Sequence, residues 1–165
     1  MKKLGKEEFK LLFEMHFDPI RRYLYYRCGD EELASDVAQD LFTRVWEKQM
    51  NINPVNDKPL LYKMASDMII TKFRRRNVEM NFAKSVKISG KIEDTDYNIQ
   101  YTELAKRYSN ALEKMGDKQR VTFLLSRNED LKYTEIADRL GISVKAVEKR
   151  IGGAIEVLKR ELNIN

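Results

Sequence analysis

The sequence predicts an all-α protein made of two small helical domains joined by a flexible linker. Apolar residues recur at helical spacing in two separate blocks of the chain. The segment between the blocks is polar and loses this period, as linkers do. Residues 133–151 have the layout of a helix-turn-helix. Because 165 residues suffice for two small domains, we place the domains at residues 1–76 and 101–165 and the linker at 77–100.

Three helices are predicted in the first block. The apolar positions of the first helix are Phe9, Leu12, Phe13, Ile20 and Leu24. Asp18-Pro19 predicts a break or kink within it, since proline cannot donate a helical hydrogen bond. Asp30 is a favourable N-cap for the second helix, whose stripe is Leu33, Val37, Leu41 and Val45. A loop at 51–57 follows, and Asp57 can cap a third helix with the stripe Leu61, Met64, Ala65, Met68, Ile69 and Phe73.

The second block ends in the helix-turn-helix. Its helices resume near Leu104, and Asp117 is expected to cap the next one. Gly141 can adopt the left-handed conformation that ends a helix, and Ser143 can cap the helix that follows. The two apolar stripes are Ile136, Ala137, Leu140 and then Val144, Val147, Ile151. Basic side chains on the second helix favour a DNA-reading unit, although an ordinary helical hairpin has the same stripes.

Composition narrows the classes of function. Lys and Arg total 31 against 26 acidic residues, and the net charge of +5 suits a polyanionic partner. A single cysteine, Cys28, permits no internal disulfide and fits a reducing cytoplasm. No apolar run approaches the roughly 20 residues of a membrane span. His16 lacks partners at ligand spacing, and no catalytic set, metal site, cofactor or small-molecule substrate is predicted.

Phe42 and Trp46 lie four residues apart on the second helix and therefore side by side. An aromatic pair next to the polar residues Gln39 and Asp40 is typical of a protein-docking face. The same rings could equally belong to the core of a helical bundle, and the residues alone leave both interpretations open.

The third helix combines polar residues with a basic end. Arginine and lysine near aromatic rings suit single-stranded DNA, where bases stack and phosphates pair with cations. The alternative is a helix C-terminus whose arginines Arg74, Arg75 and Arg76 favour the helix dipole and point to solvent.

Three separated segments resemble one known family. They read FxxHFDPIRRYLYYRCGDEELASDVAQDLFTRVW, PLLYKMASDMIITKFRRR and LKYTEIADRLGISVKAVEKRI. In this order they are similar to extracytoplasmic-function (ECF) sigma factors of the sigma-70 family. The resemblance implies a non-enzymatic factor that binds core RNA polymerase, recognises a promoter and helps to open the duplex.

The resemblance also implies three sets of site residues. The set on the second helix would bind core polymerase: Asp36, Gln39, Asp40, Phe42, Thr43 and Trp46. The set on the third helix would bind the melted minus-ten element, next to a loop at 53–59 that holds a flipped base: Lys58, Tyr62, Lys63, Ser66, Asp67, Thr71, Lys72, Arg74, Arg75 and Arg76. The set on the last helix would read the duplex minus-thirty-five element: Ser143, Lys145, Ala146, Glu148, Lys149 and Arg150.

Two departures from the family pattern stand out. Asp67 occupies a position where the family often has asparagine, and its charge would repel a phosphate. Gly152-Gly153 replaces larger or basic residues, so contacts of the family beyond Arg150 are in doubt. The family further implies an inhibitory anti-sigma factor, usually anchored in the membrane.

The sequence leaves two alternatives to a sigma factor open. The chain could be a helix-turn-helix regulator that binds duplex DNA without polymerase, or a protein-interaction adaptor without DNA activity. Association with core polymerase separates the first alternative from a sigma factor, and transcription in vitro separates the second.

Overall fold

The computed structural model describes residues 3–76, 79–85 and 95–164, and within these ranges it contains seven α-helices, one short 3-10 turn and no strand. The predicted all-α fold is therefore confirmed. The helices are α1 (Lys6–Cys28), α2 (Glu31–Glu47), α3 (Lys58–Arg76), α4 (Thr95–Lys114), α5 (Asp117–Asn128), α6 (Tyr133–Leu140) and α7 (Val144–Leu162).

Helices α1, α2 and α3 pack against one another and form the first domain. Asp30 caps α2 as predicted, because its carboxylate accepts a bond from the Leu33 backbone N–H at 2.9 Å. The predicted break at Pro19 does not occur, since α1 continues through the proline from Lys6 to Cys28. Leu12 and Leu24, on either side of the proline, are both fully buried in the same core. Their burial offsets the roughly 3 kcal/mol that an interior proline costs a helix.

Residues 51–57 form the loop predicted between α2 and α3. Asp57 immediately precedes α3, but its carboxylate accepts a bond from the backbone N–H of Asn53 at 2.7 Å. The Asp57 side chain thus bonds to the loop instead of providing the expected cap on the first turn of α3. The short distance between Asn53 and Asp57 along the chain favours this closure.

The segment predicted as a linker has structure at both described ends. Phe82 is completely buried, and Ala83–Ser85 form a 3-10 turn. At the other end, α4 begins at Thr95, before the predicted boundary at residue 101. A single apolar anchor such as Phe82 has no period, and the helical start TDYNIQ is polar, so neither part gave a periodic signal. The rest of the predicted linker lies outside the described residues.

The second domain contains α4–α7, and α7 packs against the other three helices. Asp117 is not the N-cap of α5. Gly116 occupies that position, and the Asp117 carboxylate pairs with Arg120 at 2.9 Å. The guanidinium supplies stronger charge-assisted donors than a backbone amide does.

The helix-turn-helix is confirmed by its turn and its cap. Gly141 has a left-handed φ of 66°, and the Ser143 hydroxyl accepts a bond from the Ala146 N–H at 3.1 Å. Val147 and Ile151 are buried as predicted, whereas Val144 is 38 % exposed. Val144 is the first residue of α7 and therefore lies at the rim of the packed stripe.

The two domains contact each other directly. Helix α1 packs against α5, and α3 packs against α6. Buried apolar side chains of both domains form one continuous cluster. The helix-turn-helix therefore lies beside the third helix of the first domain.

Candidate polymerase and nucleic-acid interfaces

Helix α2 presents a polar face and buries the opposite one. The exposed members of the predicted polymerase-binding set are Asp36, Gln39, Asp40 and Thr43. Asp40 forms an ion pair with Lys72 of α3, so the free chain already holds this carboxylate against its neighbouring helix. The face contains both hydrogen-bond donors and hydrogen-bond acceptors and therefore suits a polar surface on a partner.

The two aromatic residues of α2 have different environments. Phe42 is 2 % exposed, with its ring 5.3 Å from Phe13 in an edge-on arrangement. Trp46 is half-buried and lies 5.1 Å from Phe9. The sequence left open whether these rings belong to a docking face or to the core. Phe42 belongs to the core, while Trp46 lies at the edge between the core and the polar face. Both rings line a groove of about 520 Å³ with Gln39.

Helix α3 carries its predicted DNA-binding residues in three environments. The exposed members are Lys63, Asp67, Thr71, Arg74 and Arg75, and the half-buried ones are Lys58, Ser66 and Lys72. The side chain of Arg76 lies outside the described residues. Tyr62 is only 3 % exposed, and burial raises its pKa to about 12. Its hydroxyl therefore stays protonated at neutral pH.

The loop before α3 is held by its own side chains. The Asn53 side-chain oxygen accepts bonds from the N–H groups of Val55 and Asn56, both at 2.9 Å. Ile52 is 5 % exposed and anchors the start of the loop in the core. His16 of α1 bonds through Nε2 to the carbonyl oxygen of Pro54 at 2.7 Å. Burial lowers the pKa of His16, and the bond to Pro54 opposes that shift.

Helix α7 presents most of its predicted DNA-reading residues to solvent. Ser143, Lys145, Glu148 and Lys149 are exposed, while Ala146 and Arg150 are half-buried. This face combines two amines with a carboxylate and a hydroxyl, the groups that can contact base edges and phosphates in a major groove.

Predicted DNA-binding residues of both domains meet in the cleft between them. Arg150 of α7 lines this cleft of about 350 Å³ together with Lys63, Ser66 and Asp67 of α3. Nearby, Lys58 forms an ion pair with Asp138 of α6 at 3.0 Å. A Cβ atom at Gly141 would lie 2.9 Å from Pro59 Cβ, so the turn of the helix-turn-helix closely approaches the first turn of α3.

Arg120 forms a contact between the domains that the sequence did not indicate. It is fully buried, and its guanidinium donates to the carbonyl oxygens of Tyr26 at 2.7 Å and Arg27 at 2.6 Å. Its charged group also lies 4.5 Å from the centre of the Phe82 ring. Burial lowers the pKa of Arg120, while the Asp117 carboxylate opposes that shift, and the guanidinium remains charged.

Glu129 forms another polar contact between the domains that the sequence did not indicate. Its carboxylate accepts bonds from Arg22 at 2.5 Å and from the Tyr26 hydroxyl at 2.7 Å. Burial and the adjacent Glu129 both raise the pKa of Tyr26. Neither Arg120 nor Glu129 stands out in the sequence, because each is a charged residue in a polar stretch with no periodic signal.

The described part of the chain shows neither a metal-binding cluster nor a membrane-spanning helix. Within it, no group of three or more His, Cys, Asp or Glu side chains is placed to hold a metal ion. Among the same residues, no helix is long and apolar enough to cross a membrane.

Comparison with known families identifies both domains. Residues 12–78 match the family model described as Sigma-70 region 2, and residues 105–156 match that of Sigma-70, region 4. These segments include the polar face of α2, the whole of α3 and the helix-turn-helix.

Curated relatives match along most of the chain. The ferric citrate uptake sigma factor FecI of Escherichia coli is 26 % identical over 150 residues, covering 90 % of this chain and 87 % of that protein. The ECF RNA polymerase sigma factor SigW of Bacillus subtilis is 25 % identical over 178 residues, covering 98 % and 92 %.

Two solved structures share the fold. CnrH in complex with the cytosolic domain of CnrY matches with a TM-score of 0.61 and 21 % identity, over 96 % of this chain and 90 % of that one. The sigma factor RpoE of Bartonella quintana, in complex with the anti-sigma factor NepR, matches with a TM-score of 0.57 and 21 % identity, over 96 % and 99 %.

Proposed function

This chain belongs to the sigma-70 family as an ECF-type sigma factor that directs transcription initiation, and we propose how its surfaces divide that work. The observation that carries the proposal is the presence of region 2 and region 4 in one chain, in that order. A helix-turn-helix regulator that works without polymerase needs only the second of these. Sigma factors are non-enzymatic regulators, and we assign this chain no covalent chemistry.

Core RNA polymerase docks on the polar face of α2. Gln39, Asp40 and Thr43 are exposed there and offer both donors and acceptors. Trp46 lies at the edge of that face and supplies apolar area, as aromatic residues commonly do at interfaces. Asp40 exchanges its ion pair with Lys72 for contacts with the polymerase.

The melted minus-ten strand binds along α3 and the preceding loop. Lys63, Arg74 and Arg75 are exposed cations on α3 that can pair with phosphates. Asp67 is exposed among them and would repel a phosphate. It therefore accepts a hydrogen bond from a base amino group, which is the role that its charge permits.

The N-terminal part of α7 reads the minus-thirty-five duplex. Lys145 and Lys149 donate to guanine or phosphate oxygens, and Glu148 can accept from a cytosine amino group. The Ser143 hydroxyl already caps the helix, so it contributes by fixing the start of α7 as well as by lying next to the DNA.

The partners follow from this division. They are core RNA polymerase and promoter DNA in both its duplex and melted forms, and the chain meets them in the cytoplasm, where transcription occurs. Both solved relatives were captured with a bound partner, CnrY or the anti-sigma factor NepR. We infer that an anti-sigma factor also controls this chain.

Reconstitution tests the proposal directly. The purified chain is added to core polymerase with a library of promoter fragments from the source genome, and the complex and its RNA products are analysed together. We expect one-to-one association with core and transcripts with defined 5′ ends. Duplex binding without core association would favour the regulator alternative, and core association without any specific transcript would favour the adaptor.

A further inference from the structure

His16 makes a contact that the proposed function leaves unused. It lies in the middle of α1, is 5 % exposed, and bonds to a backbone carbonyl 38 residues further along the chain. A carbonyl oxygen can only accept, so the imidazole Nε2 must carry the hydrogen and donate it to Pro54. The ring is therefore held in one donor form by the loop that precedes α3.

Contacts within the loop and with the core restrain it on both sides of Pro54. Ile52 fixes its start in the core, and Asp57 closes its end on the Asn53 N–H. Asn53 holds the amides of Val55 and Asn56. Pro54 lies between these restraints and has no N–H to donate, and its carbonyl oxygen joins this part of the loop to α1 through His16.

A cavity of about 330 Å³ lies on this loop. Asn53, Pro54 and Asp57 line it from the loop, and Leu11 lines it from α1. His16 does not line the cavity. It secures Pro54, and the tip residues Val55 and Asn56 stay exposed beside it. The position of one cavity wall thus depends on a side chain that a ligand in the cavity would not touch.

We propose that His16 is a positioning residue for base selection, which fixes the Pro54 carbonyl so that the loop cavity keeps the shape that accepts one extruded promoter base. The inference rests on the proposed binding of the melted minus-ten strand by α3 and its loop. Discrimination between bases depends on pocket groups held to within a fraction of an ångström, and a loose wall admits the wrong base.

Two substitutions separate positioning from simple packing. His16→Leu fills similar space but cannot donate, whereas His16→Gln keeps an N–H donor on a flexible chain. Val37→Ala, which trims a fully buried side chain of α2, controls for lost stability. Each variant is assembled with core polymerase on the promoter identified by reconstitution, with each of the four bases at the extruded position.

The measurement is the ratio of open-complex formation on the preferred base to that on the poorest one. We expect His16→Leu to lower this ratio at least about fivefold, His16→Gln to restore most of it, and Val37→Ala to leave it unchanged. A wild-type ratio in His16→Leu would overturn the proposal, as would an equal loss in Val37→Ala.

Amide exchange in the free chain supplies a readout that needs no DNA. We expect the Val55 and Asn56 amides to exchange at least about tenfold faster in His16→Leu and at nearly the wild-type rate in His16→Gln. Unchanged exchange would show that His16 does not hold the loop. If exchange responds while wild-type holoenzyme shows no base preference, the proposed minus-ten binding fails and base selection by His16 fails with it.

Discussion

Gly152 and Gly153 are adjacent residues in α7 with different surroundings. A Cβ atom at Gly152 would meet nothing within 4 Å, whereas one at Gly153 would lie 2.5 Å from the side-chain Nε2 of Gln119. Alanine is favoured over glycine in a helix interior by roughly 1 kcal/mol. We therefore expect Gly152→Ala to raise the free energy of unfolding by about 0.5–1 kcal/mol, and Gly153→Ala to raise it less, because Gln119 must rotate away.

Urea denaturation of four variants checks this difference. They are Gly152→Ala, Gly153→Ala, Gln119→Ala, and Gly153→Ala combined with Gln119→Ala. Removing the Gln119 side chain should let Gly153→Ala reach the full gain of Gly152→Ala. Additive effects of the two substitutions in the double variant would contradict the predicted contact.

His16 is the chain's single histidine, and burial lowers its pKa below the ordinary value of 6.5. The neutral ring is favoured in the folded state, while the unfolded chain takes up a proton as the pH falls below about 6.5. The contribution of His16 to stability should therefore be complete above that pH and decline as the pH falls towards the folded-state pKa. Subtracting the pH profile of His16→Gln from that of the wild type isolates this effect, and a flat difference between pH 5 and 7 would contradict it.

At the scale of the helix, elements whose apolar residues recur with period 3.6 could be predicted from the sequence. Prediction failed where the tertiary contacts of a single residue determine the structure. The caps Asp30 and Ser143 and the turn at Gly141 were predicted because local hydrogen bonding and backbone conformation decide them. The break expected at Pro19 does not form, because burial on both sides of the proline outweighs its local cost. Phe82 and Arg120 were missed because a single long-range anchor leaves no pattern in the sequence.

Helix α2 gives the clearest test of a whole surface. Gln39 and Asp40 are exposed, so replacing both with alanine removes polar groups of the proposed docking face without opening a cavity. We expect Gln39→Ala with Asp40→Ala to raise the dissociation constant for core polymerase at least about tenfold, which corresponds to about 1.4 kcal/mol. Thermal unfolding should shift little, because the ion pair of Asp40 with Lys72 is partly exposed.

A matched control lies on α1. Asp18 and Arg21 also form an exposed ion pair, with oxygen and nitrogen 3.7 Å apart. Replacing both with alanine changes a similar amount of polar surface on another helix, and binding to core should stay within about twofold of wild type. Equal losses from the two double variants would mean that α2 is not a distinct docking face.

At the scale of the molecule, the two domains lie in direct contact, and this closed arrangement turns the proposed DNA-binding groups of each towards the other. Lys63 and Arg150 line the same cleft, and Lys58 is paired with Asp138. A promoter presents its two elements at separate places along the duplex. The surfaces that bind them cannot face each other across the cleft when both elements are bound. We therefore expect promoter binding to open the contact between the domains, and the hydrogen bonds of Arg120 and Glu129 oppose that opening.

Glu129 allows this contact to be weakened selectively. Its hydrogen bonds to Arg22 and the Tyr26 hydroxyl both reach the first domain, and charge-assisted bonds of this kind are worth about 1.5–3 kcal/mol each. Glu129→Lys replaces an attraction by a repulsion and should shift the population towards open forms by more than tenfold. We expect a larger radius of gyration in X-ray scattering and tighter binding to minus-thirty-five duplex in the absence of core polymerase. Glu156→Lys makes the same charge change at an exposed position of α7 and controls for the added attraction to DNA. An unchanged radius of gyration, or equal gains in DNA binding from both variants, would show that Glu129 does not keep the domains closed.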